Sequence, residues 1–227
     1  MPAVARDKKI RLDTIKSEGA FLSLPGSRAA SHPVWRGLKR TGDVLFSAVG
    51  LAISLPFWPF VAAAIKLGSR GPVFYAQDRV GKGGKRFSLI KFRSMIANAE
   101  NGDPVWAKID DERITPVGRV LRRIHMDEWP QLWNVLRGDM SLVGPRPERP
   151  AFVEDLAGKI PFYMLRHTVN PGLTGWAQVN YKYAASLESS RIKLEYDLYY
   201  IARWSPLLDA GILLRTVGKV FEKESVE

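Results

Sequence analysis

The sequence has no cysteine and only three histidines, His32, His125 and His167. A disulfide framework, a thiolate metal site and a cysteine nucleophile are therefore excluded, and a histidine-rich metal centre lacks ligands. Acidic residues are in the minority: 23 Asp and Glu stand against 34 Lys and Arg, a formal net charge of +11 over 227 residues. That excess implies an anionic partner: a phosphate-bearing substrate, an anionic leaflet or a nucleic acid. No nucleic-acid-binding motif accompanies it, so nucleic acid is not an expected partner. No internal repeat and no second domain are visible. The first 33 residues hold no apolar run of the secretory kind, and no cleaved leader is expected.

Charge is missing altogether from residues 44–65, VLFSAVGLAISLPFWPFVAAAI. A straight helix of that length would measure about 33 Å, just enough to cross a bilayer. Pro56 and Pro59 fall in its second half. Each lacks an N–H and crowds the carbonyl one turn earlier, and each restricts the residue before it. The pattern predicts two half-helices, 44–55 and 57–67, joined by a bend. A half of about 12 residues reaches about 18 Å, too short to span. Arg36, Lys39 and Arg40 precede the stretch, and Lys66 and Arg70 follow it. Basic residues at both ends suit a hairpin that enters and leaves on one face. A spanning helix with a proline kink remains open. Lys39 and Arg40 are expected at headgroup level, with Asp43 at the start of the membrane helix.

Residues 1–33 read as a loosely ordered basic tail. A strand hairpin is expected from 72–77 and 86–93 around Gly81, Gly83 and Gly84. A helix is expected to begin at 94–99 and break at 101–104, and Asp110, Asp111 and Glu112 read as acids at a helix start. Amphipathic spacing predicts a helix over 117–124 and another over 131–136, stopped by Gly138. Residues 139–147 form a loop stiffened by Gly144, Pro145 and Pro147. Short helices follow at 151–156 and 161–167, then a turn and strand-like run over 170–180. A helix is expected over 187–200, and Ser205–Pro206 starts another. That last helix packs in the core or lies in a membrane interface with Trp204 as anchor. The fold class is α+β and mainly helical: a single catalytic domain with a small β-hairpin and an N-terminal re-entrant helix–break–helix. The ranges are 1–34 for the tail, 35–70 for the membrane element and 71–227 for the domain.

With cysteine absent and histidine scarce, carboxylates, lysines and arginines remain. That set suits phosphoryl transfer, where positioning and charge stabilisation dominate. Asp127–Glu128 is the sharpest pair. Adjacent carboxylates repel unless a cation lies close, which a divalent ion and Arg122 would supply, and a carboxylate can attack phosphorus. The other reading is a capping pair for the helix that follows. Lys91 and Arg93 sit at alternate strand positions, hence on one face. Arg146 stands between two prolines, its fork fixed for a phosphate. Asp197 alone reads as an exposed helical acid.

KFRSM, MDEWPQLWNVLRGDMSLVGPRPERP, PGLTGWAQVN and YDLYY occur in this order behind a KR-x-x-D and a proline-broken apolar stretch. The set, covering residues 36–221, resembles the bacterial sugar transferase family, the monotopic polyprenyl-phosphate phosphoglycosyl transferases. The resemblance implies transfer of a sugar phosphate from a UDP-sugar to undecaprenyl phosphate, with release of UMP. It implies Mg2+, a re-entrant membrane helix broken at Pro56, and a catalytic domain on the cytoplasmic face of the bacterial inner membrane. It further implies that the chain starts lipid-linked glycan assembly, the PRPERP run pointing to the exopolysaccharide branch. Carried over residue by residue, Asp127 is the nucleophile of a covalent phosphosugar intermediate and Glu128 its partner at the metal. Lys91, Arg93, Arg122, Arg146 and Asp197 fall in motifs expected to hold substrate. Two positions depart from the pattern. Leu55 precedes Pro56 where relatives have a serine, and Asn170 stands where they have an arginine, leaving Arg166 as the nearest replacement cation. The alternative is a basic, non-catalytic membrane-associated scaffold or nucleic-acid-binding protein. The sugar and any homo-oligomer stay open.

Overall fold

The computed structural model describes residues 8–97, 99, 111–181 and 186–221. Its first described residues are packed rather than loose. The Lys9 ammonium pairs with Glu195 at 2.7 Å, the Ile10 N–H donates to the Glu195 carbonyl, and Trp176 Nε1 donates to the Lys8 carbonyl. Leu12 and Phe21 are buried in the main core. Two short helices follow, α1 (Glu18–Leu22), capped by Ser17, and α2 (Pro25–Ser31). Gly26 touches the Ala202 backbone so closely that a Cβ would lie 2.3 Å from its carbonyl oxygen. The expectation of a loose tail therefore fails over residues 8–31, because burying Leu12 and Phe21 offsets the entropy of ordering them.

The apolar run forms α3 (Pro33–Ser54), a 3-10 turn (Leu55–Phe57) and α4 (Trp58–Gly68). Helix starts eleven residues before the expected position, with Pro33 at its first turn. The first arm is thus about 33 Å long rather than about 18 Å. Pro56 tightens the backbone into a 3-10 turn, while its neighbours Leu55 and Phe57 keep right-handed dihedrals. The Ser54 hydroxyl donates to the Leu51 carbonyl and accepts from Trp58 Nε1, so Ser54 supplies the help at the bend that Leu55 cannot.

The whole run lies along one face of the domain. Lys39 pairs with Asp209 at 2.6 Å, and the Arg40 guanidinium donates to the Val135 and Leu136 carbonyls, each at 2.5 Å. Asp43 is buried within α3 and accepts from the Leu142 N–H. All three find partners on the domain, and together they dock α3. Further along, Gly50 abuts Leu132, Phe57 meets Trp129 edge-on, Trp58 packs on Phe74 and Phe92, and Gly68 abuts Val117. The outward side carries Leu45, Phe46, Val49, Ile53, Phe60 and Leu67, all more than half exposed.

The hairpin is β1 (Phe74–Val80) with antiparallel β2 (Arg86–Phe92). Residues 94–97 do not start a helix: Met95 bridges Ile114 and Ala97 lies in a turn. The break expected at 101–104 and Asp110 lie outside the described residues. Asp111 is held by its neighbour Arg113 at 2.5 Å. Then come α5 (Pro116–Arg123), α6 (Gln131–Arg137), β3 (Ser141–Val143), α7 (Pro150–Lys159), β4 (Gly172–Thr174), α8 (Trp176–Asn180), α9 (Leu187–Arg203) and α10 (Pro206–Phe221). β3 and β4 pair in parallel. Residues 176–180 are a helix rather than the strand-like run expected, since Trp176, Ala177 and Val179 all turn into the core. Within the core, α9 buries Leu194, Leu198, Tyr200 and Ile201. Trp204 is buried too and donates to Asp209, so it is not an interfacial anchor.

Arg40 closes the carbonyl end of α6 from another helix, a charge-assisted pair of bonds. Arg40→Met is expected to lower unfolding free energy by about 1.5–3 kcal/mol in denaturant titration.

Candidate active site

The acidic pair sits on a reversal between two short helices. Thr115 opens α5 by accepting from the Gly118 N–H at 2.9 Å, with Pro116 in the first turn. The helix ends at Ile124, and His125 turns left-handed (φ 54, ψ 20). A 3-10 turn, Met126–Glu128, follows, and Pro130 leads into α6. The turn packs against β2, with Met126 on the cluster of Val61, Ile65, Phe92 and Leu121. Trp129, next to Glu128, carries the ring of Phe57 at 6.3 Å. The bend of the apolar run thus stands beside the acid pair.

The two carboxylates are held differently. Glu128 Oε1 accepts from the Arg146 guanidinium at 2.6 Å. Burial alone would raise the Glu128 carboxyl, but Arg146, His125 and Lys91 outweigh it and hold it below the ordinary value. Asp127 is buried, and among the described residues its carboxylate makes no hydrogen bond and no ion pair. Burial and then Glu128 push its pKa up, while Lys91, Arg122 and Arg146 pull the other way. Neither acid caps α6, so the capping alternative is not what the structure adopts.

Arg146 is aimed by its loop. Four consecutive carbonyls are each taken: Pro145 by the Gly172 N–H (2.9 Å), Arg146 by the Arg166 guanidinium (2.9 Å), Pro147 by Arg79 (3.0 Å) and Glu148 by the Val80 N–H (2.9 Å). Arg166 is itself locked, donating to Asp197 at 2.8 and 3.1 Å and to the Tyr163 hydroxyl at 2.8 Å. Gly144 passes so close to Asn170 and Gly172 that a Cβ would fall 2.4 Å from the Asn170 carbonyl oxygen.

Of the residues picked from sequence, the structure gathers Lys91, Arg122 and Arg146 around Asp127 and Glu128. Arg122 donates to the Ser94 hydroxyl at 2.8 Å. Lys91 lies over the Tyr75 ring at 5.4 Å. Burial, then the charges of Arg79 and Arg122, bring its pKa down to about 8 in spite of the two acids. Arg93 is elsewhere. It falls just past β2, is 5% exposed, and donates to the Ser69 and Arg70 carbonyls behind α4. Asp197 is 2% exposed and pairs with Arg166, which in turn bonds the Arg146 carbonyl. Arg166 has its donors engaged in turn, and Asn170 donates to the Gly138 carbonyl at the end of α6. Both side chains are thus engaged within the protein. Arg79, which the sequence reading missed, joins the basic surround; its alternation with Tyr75 and Gln77 on β1 was the available signal.

Among the described residues no three His, Cys, Asp or Glu side chains converge as a metal cage. Magnesium commonly takes one or two carboxylates and completes its shell with water and phosphate oxygens. Asp127 and Glu128, side by side, fit that requirement.

A family model described as bacterial sugar transferase matches residues 34–223. A UDP-N-acetylgalactosamine-undecaprenyl-phosphate N-acetylgalactosaminephosphotransferase of Aeromonas hydrophila is 46% identical over 188 residues, 83% of this chain and 44% of that protein. A UDP-glucose:undecaprenyl-phosphate glucose-1-phosphate transferase of Escherichia coli is 43% identical over 82% of this chain and 40% of its own length. One of Caulobacter vibrioides with the same name is 44% identical over 82% of this chain and 71% of its own. The chain thus spans less than half the length of the first two relatives.

Two outcomes follow from this geometry. Lys91 is cationic below about pH 8 and neutral above it, so kcat/KM should fall on an alkaline limb near that pH. In Lys91→Arg the limb should move up by about one unit or more, as a pH–rate profile would reveal. Asp197→Ala strands the Arg166 charge, and thermal or denaturant unfolding should register a loss of about 3–5 kcal/mol. Pairing Arg166→Met with Asp197→Leu should recover most of it.

Proposed function

Because the chain belongs to the bacterial sugar transferase family, we propose that it transfers a sugar 1-phosphate from a UDP-sugar to undecaprenyl phosphate with release of UMP. The observation that carries this reading is the asymmetry of the acid pair. Glu128 is tied to Arg146, whereas Asp127 has no hydrogen-bond partner among the described residues and is surrounded by Lys91, Arg122 and Arg146. An Asp127 oxygen attacks the β-phosphorus of the donor. The bond from that phosphorus to the UMP oxygen breaks and UMP departs, leaving an aspartyl phosphosugar. An oxygen of undecaprenyl phosphate then attacks the same phosphorus. The acyl-phosphate bond breaks, the sugar diphospholipid forms and the carboxylate returns. Lys91, Arg122 and Arg146 offset charge on the non-bridging oxygens throughout. Asp127 and Glu128 would hold Mg2+, which when bound adds positive charge to the phosphate oxygens. The product would begin a lipid-linked glycan, with the sugar set by contacts outside this charged centre.

One substrate is water-soluble and the other oily, so the reaction needs a site at the edge of a bilayer. The outward stripe of α3 and α4 would provide the contact. Pro33–Gly68 is long and apolar enough to cross a membrane, but both its ends and its middle touch the same domain. That supports insertion from one side, with the Pro56 bend delivering lipid phosphate beside Trp129 and the acids. The face concerned is the cytoplasmic one, where UDP-sugars are made.

Asp127→Asn should lower UMP release by about 10³-fold or more while UDP-sugar still binds, and unaltered protein should show ping-pong kinetics. Normal turnover by the variant removes Asp127 from the role. Phe46→Asp combined with Phe60→Asp should shift the folded protein from cosedimenting with anionic vesicles to the supernatant; retention on the vesicles would count against this stripe as the lipid face.

A further inference from the structure

The two outer edges of the β1–β2 hairpin are finished differently. In its register Ala76 faces Ile90 and Asp78 faces Ser88. The Arg93 N–H bonds the Val73 carbonyl across the ladder, whereas the Val80 N–H turns outward to Glu148. Antiparallel pairs alternate, so the backbone groups of residues 76 and 78, and of 88 and 90, point away from the ladder. On β2 one side-chain amide closes that edge: Asn134 Nδ2 donates to the Ser88 carbonyl at 2.8 Å and its Oδ1 accepts from the Ile90 N–H at 3.0 Å. On β1 the equivalent groups, the Ala76 carbonyl and the Asp78 N–H, have no partner among the described residues.

They open onto a groove of about 500 Å³, walled by residues 75–78 on one side and 149–151 on the other. The groove is linked to the acid pair through Tyr75, whose ring lies under the Lys91 ammonium, and Lys91 in turn feels the charges of Asp127 and Glu128. Its open edge is short. The Val80 N–H is already taken and the start of α7 stands opposite. Two residues of free edge are too few for an added strand. They suit a planar group that carries a donor beside an acceptor, as the Asn134 amide does on the other side.

We propose that this groove is the nucleobase subsite of the donor. The uracil N3–H donates to the Ala76 carbonyl, and the adjoining ring carbonyl accepts from the Asp78 N–H. The ribose and diphosphate then run past Tyr75 to Lys91 and Asp127. The inference rests on the reading of the chain as a UDP-sugar transferase.

The decisive probe is a base whose N3 proton is replaced. Calorimetric titration of the full chain in detergent micelles, with UMP and with N3-methyl-UMP, should show about tenfold weaker binding of the methylated nucleotide. Equal affinities overturn the subsite. A second arm removes the protein's donor. Asp78→Pro deletes an N–H that points outward, so the ladder survives. Its KM for the UDP-sugar should exceed that of Asp78→Ala, which retains the N–H, by about fivefold, with kcat alike in both. Identical KM values also overturn the proposal. If Asp78→Pro fails to fold, the methylated nucleotide on unaltered protein decides alone. UMP release from UDP-sugar and polyprenyl phosphate separates this inference from the reading beneath it. Turnover without N3 sensitivity sinks the subsite alone. N3-sensitive binding without turnover sinks the reaction and leaves a uridine nucleotide site.

Discussion

Two ionised carboxylates on consecutive residues repel each other, and neither can be drawn out of water without a cation beside it. Much of the domain answers that constraint. Arg146 neutralises Glu128 at 2.6 Å from a loop whose four successive carbonyls are all bonded, one of them by Arg166. Arg166 stays in position because Asp197 and Tyr163 occupy its other donors. The chain of contacts thus runs from the middle of α9, through a buried ion pair, to the mouth of the site. A buried pair of this kind adds little net stability, since desolvation consumes most of the Coulomb gain. What it fixes is geometry: with Arg166 in place the Arg146 fork has one direction, and Glu128 is engaged while Asp127 has no partner among the described residues.

The apolar run obeys a second constraint, that its polar residues be satisfied wherever they are buried. Lys39, Arg40 and Asp43 would be costly within lipid, and each instead finds a partner on the domain: Asp209, the end of α6, and the Leu142 N–H. Those three contacts dictate which side of α3 turns inward. The large apolar side chains from Leu45 to Leu67 are left facing out as a consequence. Pro56 then places its tight turn over Trp129, so the position of the bend and the position of the acids are linked through two rings.

How far this was legible from sequence depended on whether the signal was local. The β-hairpin, α5, α6 and the start of α10 were readable because alternation, caps and glycine stops lie within a few residues of each other. The acid pair and Arg146 were readable as candidates, since few other residues could serve, and the structure brings them together. Arg93 and Asp197 were misplaced because nothing local says that a guanidinium will turn back to the carbonyls after α4, or that a helical acid will be sunk against Arg166. Residues 8–31 looked like a tail because their apolar content is small, and it is the distant surface of α9 that orders them. The role of Asn134 as an edge cap depends on a strand more than forty residues away.

Asn134 also clarifies why the hairpin can serve at both its edges. Its amide seals β2 against α6, so that side of the sheet is structural and cannot slip register without losing two bonds. Register on β2 is inherited by β1 through the ladder, and with it the direction in which Ala76 and Asp78 point. The same ladder places Tyr75 directly opposite Lys91. A single side chain on α6 therefore sets where an open backbone edge lies relative to a lysine and, through the turn before α6, relative to Asp127. Precision at the charged centre and openness in the neighbouring groove are two consequences of one anchored strand pair.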